Sequence, residues 1–347
     1  MDFSKKLTNW YKINKRDFPW RKTKNPYNIW LSEIILQQTK TSQGLPYYNT
    51  FIKQFPKIDN LAKAEEKHVL KLWQGLGYYS RARNLHFTAK YIHNKLNGEF
   101  PNNYTDLLKL KGIGNYTASA ISSICFDEKR AVVDGNVYRV LARYFGIETP
   151  INKSKGITEF KILAQKLLPN NKFGLHNQAI MDFGATICTP KKSKCDICVL
   201  NDSCYALQKD KVHVLPVKTS KTKIKKRYFN YLVILSANNQ ISIQKRTEKG
   251  IWQHLYEFPL IETKQIIDYG ELLSKDDFTG LFQKKYLKNV ALFNSKPIIH
   301  KLSHQHIYTN FWIVNYNGKI ANSINLKNLK KHPVPTLIDN FIKVFDL

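Results

Sequence analysis

The sequence predicts two domains of different class: a mainly α N-terminal domain and a smaller α+β C-terminal domain. Three observations carry this. A chain of 347 residues with 43% hydrophobic side chains is long enough for two cores. Apolar residues recur at helical spacing through 28–43, 65–72, 104–110, 116–126, 137–144 and 158–168, each time marking one face of a 3.6-residue period. Beyond a polar, strongly basic stretch at 211–227 the pattern turns to β-prone runs at 228–235, 241–245 and 306–314, with helical candidates at 279–286 and 334–345. The boundaries read as a helical domain at 1–210, a linker by composition at 211–227 and a mixed domain at 228–347.

Short breakers separate the helical runs: Gly75-Leu-Gly77, Gly98-Glu-Phe-Pro101, Lys111-Gly-Ile-Gly114 and Asp134-Gly-Asn136. Charge is lopsided, with 55 Lys+Arg against 26 Asp+Glu and a net +29. Such a field attracts a polyanion, so nucleic acid is the first partner to weigh against a merely solvated basic surface. The start, Met1 to Phe18, is charged and carries no secretory pattern, and apolar stretches fall short of the ~18 residues a membrane span needs. Five cysteines, four of them between Cys188 and Cys204, do not form an extracellular disulfide framework. The expectation is a monomer in a reducing cytoplasm, with no membrane contact.

Cys188, Cys195, Cys198 and Cys204 are spaced Cys-x6-Cys-x2-Cys-x5-Cys. Four thiolates so placed can converge on one point, and soft sulfur suits zinc or iron–sulfur. Zinc usually pairs its ligands as two short knuckles, which one Cys-x2-Cys with longer arms matches poorly. The spacing resembles the [4Fe–4S] loop of the endonuclease III-like DNA glycosylases, which implies one [4Fe–4S] cluster and no catalytic metal. Lys191, Lys192 and Lys194 put positive charge on the first arm. Cys125 ends an apolar helix and reads as core.

The stretch Leu110-Lys-Gly-Ile-Gly-Asn-Tyr-Thr-Ala-Ser-Ala120 joins two helical segments through Gly112 and Gly114. Glycine permits a tight turn and close approach to a ligand, and the free N–H groups of the following helix can meet a phosphate. The stretch resembles the helix-hairpin-helix of the same superfamily, with Lys111 in place of the usual proline. Bifunctional members carry a lysine at the position of Tyr116, and its amine forms a Schiff base. A phenol cannot, so water should cleave the glycosidic bond without strand scission.

Two carboxylates complete the chemistry. Glu33 has Ile29, Trp30, Leu36 and Gln37 as neighbours one turn away. Apolar surroundings penalise its charge and raise its pKa, as a general acid requires. Asp134 precedes a helix, whose N-terminus favours the anion. One neutral acid and one fixed anion are the pair used to cleave glycosidic bonds. Segments 30–39 and 133–143 resemble the signature segments of the adenine DNA glycosylases of the MutY type. The resemblance implies that Glu33 protonates adenine and that Asp134 stabilises the cation-like sugar, with Tyr116 and Asn136 as sugar-side support.

The same likeness implies further roles. Trp20, Arg21 and Gln178 would line the adenine pocket. Gln38 and Tyr78 would wedge the duplex, Thr39 and Leu76 would touch the oxidised guanine, and Arg81 and Arg83 would meet phosphates. Segment 249–259 resembles the Nudix-like domain of these enzymes, but the stretch after Pro259 lacks the carboxylate cluster that holds Mg²⁺. The fold is expected without nucleotide hydrolysis. His300-Lys-Leu-Ser-His304 aligns with the family's loop for the oxidised base, so Ser303 and His304 would read it, with Leu302 in place of phenylalanine. The implied substrate is double-stranded DNA bearing 8-oxoguanine·A or G·A mispairs, which places the protein with the nucleoid. A bifunctional lyase, a non-catalytic iron–sulfur DNA binder and a nucleotide hydrolase are the rival readings.

Overall fold

The computed structural model describes residues 3–219 and 224–345. The chain divides into two compact units, Met1–Lys63 with Asn84–Ser220, and Ala64–Arg83 with Lys221–Leu347.

The first unit holds α1 (Phe3–Asn14), α2 (Pro26–Leu36), α3 (Thr41–Gln54) and α4 (Ile58–Lys63). The helix α5 (Glu66–Leu72) and the first turn of α6 (Ser80–Lys95) count with the second unit. The first unit continues through α7 (Tyr104–Leu107), α8 (Asn115–Cys125), α9 (Gly135–Phe145), α10 (Ser154–Lys166), α11 (Phe173–Thr186) and α12 (Tyr205–Gln208). Its axis is α11, which packs on α1, α8 and α9, while α8 packs on α2. Gly184 makes one of these approaches possible: a Cβ there would lie 2.7 Å from Asn136 Cβ and 2.9 Å from its carbonyl oxygen. Buried apolar residues cover most of α11, so no single stripe marked it in the sequence. The helix expected at 28–43 is interrupted after Leu36, because Gln38 takes φ +56°.

The second unit is built on a seven-stranded sheet. Its strands are β1 (Lys225–Ser236), β2 (Gln240–Ser242), β5 (Leu260–Thr263), β6 (Leu287–Leu292), β7 (Ile298–Lys301), β8 (Gln305–Tyr316) and β9 (Ser323–Asn325); β3 (Gln244–Lys245) and β4 (Tyr256–Glu257) form a separate ribbon. The order is β6-β8-β1-β2-β9, with β5 also on β1 and β7 also on β8. The parallel pair is β1 with β8, from Lys225↔Gln305 to Leu235↔Asn315. As a central strand, β1 is buried continuously from Phe229 to Ile234, which accounts for its unbroken apolar run. One face packs Leu232, Ile234, Trp312 and Val314 against Leu272 of α13 (Tyr269–Leu273) and Phe278 of α14 (Asp276–Thr279). On Phe311 stacks Phe341 of α15 (Thr336–Val344), with ring centroids 4.1 Å apart. The helix expected at 279–286 is instead the end of α14 and a 3-10 turn at Lys284–Tyr286.

Two expected boundaries shift. Segment 64–83 belongs with the second unit because its polar side chains are tied there: Glu66 pairs His254 Nδ1 at 2.8 Å, and Gln74 Nε2 donates to Asp339 at 2.7 Å. The expected linker is also mostly committed. Arg143 Nε donates to Leu215 O at 3.0 Å, Ile151 N to Val217 O at 3.0 Å, and Lys225–Arg227 lie in β1. Residues 220–223 of that segment lie outside the described residues.

Candidate active site

Glu33 sits in the middle of α2, between buried Ser32 and Ile34. Burial pushes its carboxyl up; a hydrogen bond from Tyr116 and the charge of Arg21 pull it down, and the charge of Asp134 pushes it up again. Tyr116 belongs to the first turn of α8, where its hydroxyl also reaches Met181 Sδ at 3.4 Å. Asp134 caps α9, accepting from Asn136 N at 2.9 Å, Val137 N at 2.8 Å and Asn136 Nδ2 at 2.8 Å. Here the expectation needs correction. Burial outweighs these three donors, and the Asp134 carboxyl lies above the usual aspartate value instead of below it. The donors still engage both oxygens, and it is the ionised form that accepts them all. Glu33, Tyr116, Asp134 and Arg21 thus share one electrostatic field.

The expected pocket residues lie on the same unit. Trp20 is buried and stacks on Phe18 with centroids 4.8 Å apart. Gln178 Oε1 accepts from Tyr11 at 3.1 Å. Arg21 is held by Asp182, a residue the sequence reading missed. Asp182 is fully buried on α11 and binds Arg16 at 2.6 Å and Arg21 at 3.0 Å. Its signal was available: a lone acid within Ala179-Ile-Met-Asp-Phe183, since a buried charge demands a partner. Asn136 is likewise anchored. Arg139, also missed, donates to Asn136 Oδ1 at 2.8 Å and to Cys188 O at 2.6 Å, tying the cap of α9 to the start of the cysteine loop.

Cys188, Cys195, Cys198 and Cys204 line one small hollow with Arg143. Arg143 Nη1 donates to Thr189 O at 2.8 Å, to Ser193 Oγ at 2.8 Å and towards Cys188 Sγ at 3.4 Å. Among the described residues no three His, Cys, Asp or Glu side chains close on a single ion. Four soft sulfurs on one hollow are a donor set of the kind that takes an iron–sulfur cluster or zinc.

The hairpin at 110–120 exposes Gly112 and Gly114. Gly112 has φ +81°, and a Cβ there would strike Asn84 Cβ at 2.7 Å, so the turn requires glycine. Gly114 is the N-cap of α8 and has no side chain with which to cap its first turn. Gln38 is exposed and Thr39 half-buried on the turn after α2.

On the second unit, Leu76, Tyr78, Ser303 and His304 line one pocket together with Trp252. Tyr78 OH and Ser303 Oγ are 2.5 Å apart. Leu76 is only 5% exposed, so it offers an edge at most. The two arginines expected at phosphates are engaged internally. Arg81 is buried, donates to Gly77 O at 3.1 Å and lies over the Trp73 ring at 5.1 Å. Arg83 donates to Gln253 O at 2.7 Å. Their charges brace the 75–83 loop, which spacing alone could not distinguish from a free basic face.

The helical unit with its glycine hairpin, beside a buried acid and a capping aspartate, is the class of protein that excises bases from DNA. Residues 31–166 match the HhH-GPD superfamily of base excision DNA repair proteins, and residues 230–344 match the NUDIX domain family. The chain is 37% identical, over 354 aligned positions, to an adenine DNA glycosylase of Buchnera aphidicola subsp. Schizaphis graminum (strain Sg), covering 99% of this chain and 98% of that protein. Over 216 positions it is 38% identical to the adenine DNA glycosylase of Homo sapiens, covering 60% of this chain and 40% of that one. Among solved structures, a thermostable thymine-DNA glycosylase aligns with TM-score 0.55 and 32% identity, covering 60% of this chain and 95% of that one. A non-covalent endonuclease III–DNA complex aligns with TM-score 0.52 at 19% identity, over 60% of this chain and 94% of that one, a likeness of fold. The chain belongs to the adenine DNA glycosylase family.

Among the described residues no helix is long and apolar enough to cross a membrane.

Proposed function

We propose that this protein hydrolyses the N-glycosidic bond of adenine mispaired with 8-oxoguanine or guanine in duplex DNA, the opening step of base excision repair. One observation carries the reading: Glu33, pushed towards its protonated form, shares a site with Tyr116 and the hydrogen-bonded Asp134. The adenine first leaves the stack, at a cost of a few kcal/mol that is smallest at a mispair. Glu33 then gives its proton to adenine N7, so that the base departs neutral. Asp134 faces the positive charge that grows on the sugar, and water completes the hydrolysis. Tyr116 has no amine to form an imine; it orients Glu33, while Asn136 holds Asp134 in place at 2.8 Å.

Arg21, steadied by Asp182, together with Trp20 and Gln178, supplies the pocket for the purine. On the second unit Leu76, Ser303 and His304 offer contacts to an oxidised guanine and Tyr78 wedges the duplex; on the first unit Gln38 serves as a wedge and Thr39 as a contact to the oxidised base. Gly112 and Gly114 present backbone N–H groups to a phosphate. Cys188, Cys195, Cys198 and Cys204 would hold one [4Fe–4S] cluster, which when bound joins four points of the loop through iron–thiolate bonds. The protein acts as a monomer in the cytoplasm, on the nucleoid.

Single-turnover release of adenine from an 8-oxoguanine·A duplex tests this. Glu33→Gln should bind the duplex yet lose about 10²- to 10⁴-fold in rate; an undiminished rate would remove the general acid. Ser303→Ala should lower the preference for 8-oxoguanine·A over G·A, and an unchanged ratio would remove that contact.

A further inference from the structure

The first unit contains a basin of about 710 Å³ that Tyr116 of the catalytic cluster helps to line. Four pieces of chain wall it: Tyr104 from α7, Asn115 from α8, Lys129 and Arg130 from the segment before Asp134, and Lys161 and Lys166 from α10. Four of its twelve lining residues are basic and none is acidic. Arg130 is already engaged, paired with Glu128 at 3.0 Å and lying 4.2 Å above the Tyr104 ring. Lys129, Lys161 and Lys166 are exposed, and among the described residues no carboxylate pairs with them. Asn115 accepts from Tyr104 OH at 2.7 Å, which leaves its amide N–H groups to donate elsewhere.

Cations gathered in a concave site without a counter-charge repel one another, and the field they focus favours an anion entering it. A solvated lysine face accounts for isolated side chains. It does not account for a hollow that draws its cations from separate elements and shares Tyr116 with the catalytic cluster. On the glycosylase reading, the anion brought nearest Tyr116 is the backbone of the strand whose nucleotide has been extruded.

We infer that this basin is a phosphodiester subsite. It holds the backbone of the target strand next to the extruded nucleotide, using Lys129, Lys161, Lys166 and the Asn115 amide. This grip is additional to the hairpin glycines and to the cysteine loop. The inference rests on the glycosylase reading and gives it a location.

The test uses the full-length protein and a duplex carrying 2′-fluoro-2′-deoxyadenosine opposite 8-oxoguanine, whose fluorine resists formation of the sugar cation. Lys161→Ala/Lys166→Ala is compared with Lys53→Ala/Lys57→Ala, a variant of equal charge loss on and after α3. The α10 variant should bind more weakly, with the slope of log K against log salt reduced by about 2, one for each phosphate no longer neutralised. The control should keep the wild-type slope to within the error of the fit. Neutral methylphosphonate linkages then locate the grip: at one or two positions beside the analogue they should weaken wild type but not the α10 variant. Equal slopes for the two variants, or equal weakening at every linkage, would overturn the subsite. Failure of the glycosylase reading would show separately, as wild-type protein releasing no adenine from an ordinary 8-oxoguanine·A duplex, and the binding comparison would still decide the subsite.

Discussion

The carboxyl of Glu33 is set by opposed influences. Burial and Asp134 push the carboxyl up, while Tyr116 and Arg21 hold it down, so the acid is tuned by its neighbours and not by α2 alone. Much of this was legible in sequence, because Glu33 stands among apolar residues at helical spacing and Asp134 stands directly before a helix. Asp182 was legible only as a lone acid in an apolar run, because periodicity alone cannot tell a buried acid from a misplaced surface one. Its role makes a sharp expectation. Asp182 is fully buried between Arg16 and Arg21, and removing one partner of such a group leaves uncompensated charge. Asp182→Asn should destabilise the protein by about 3–5 kcal/mol in a denaturant titration. A loss below about 0.5 kcal/mol, the range of an ordinary surface substitution, would mean that both arginines have adequate partners elsewhere.

At the scale of elements, the site depends on how closely α11 approaches the cap of α9. Gly184 lets α11 lie against Asn136, whose side chain in turn supports Asp134. Gly184→Ala would force a Cβ against Asn136 backbone and side chain at under 3.0 Å. Overpacking of this kind costs about 1–3 kcal/mol, and here the strain falls on the carboxylate. Single-turnover excision should therefore slow more than DNA binding weakens; equal losses in both would point to general destabilisation. A helix with a clear apolar stripe, such as α9, was readable from periodicity. The helix α11 was not, because its buried residues lie on most sides, and α6 was not, because its sequence mixes polar and apolar residues without a run. Spacing also could not show that Arg81 and Arg83 turn inward to brace a loop.

At the scale of the whole molecule, the change from helical periodicity to β-prone runs located the two classes of fold. It could not locate the boundary, because segment 64–83 reads as helix while its hydrogen bonds lie with the second unit. The net charge of +29 was readable as an affinity for a polyanion, and the relatives agree with that. The cysteine loop connects to the catalytic cap through Arg139, so loss of the cluster should reach beyond the loop. Pure protein should absorb near ~400 nm, where iron–sulfur charge transfer falls. Removing that absorbance with an oxidant and chelator should lower the melting temperature and the rate of excision together. A colourless protein containing zinc would contradict the cluster.

The pH dependence of single-turnover excision bears most directly on Glu33. A general acid works only while protonated, so the rate should be high on the acid side and fall as pH rises through the folded-state pKa of Glu33. Tyr116→Phe removes a hydrogen bond that holds this pKa down, and should carry the falling limb to higher pH. A rate that is flat or rises across that range, or a limb that Tyr116→Phe leaves in place, would contradict proton donation by Glu33.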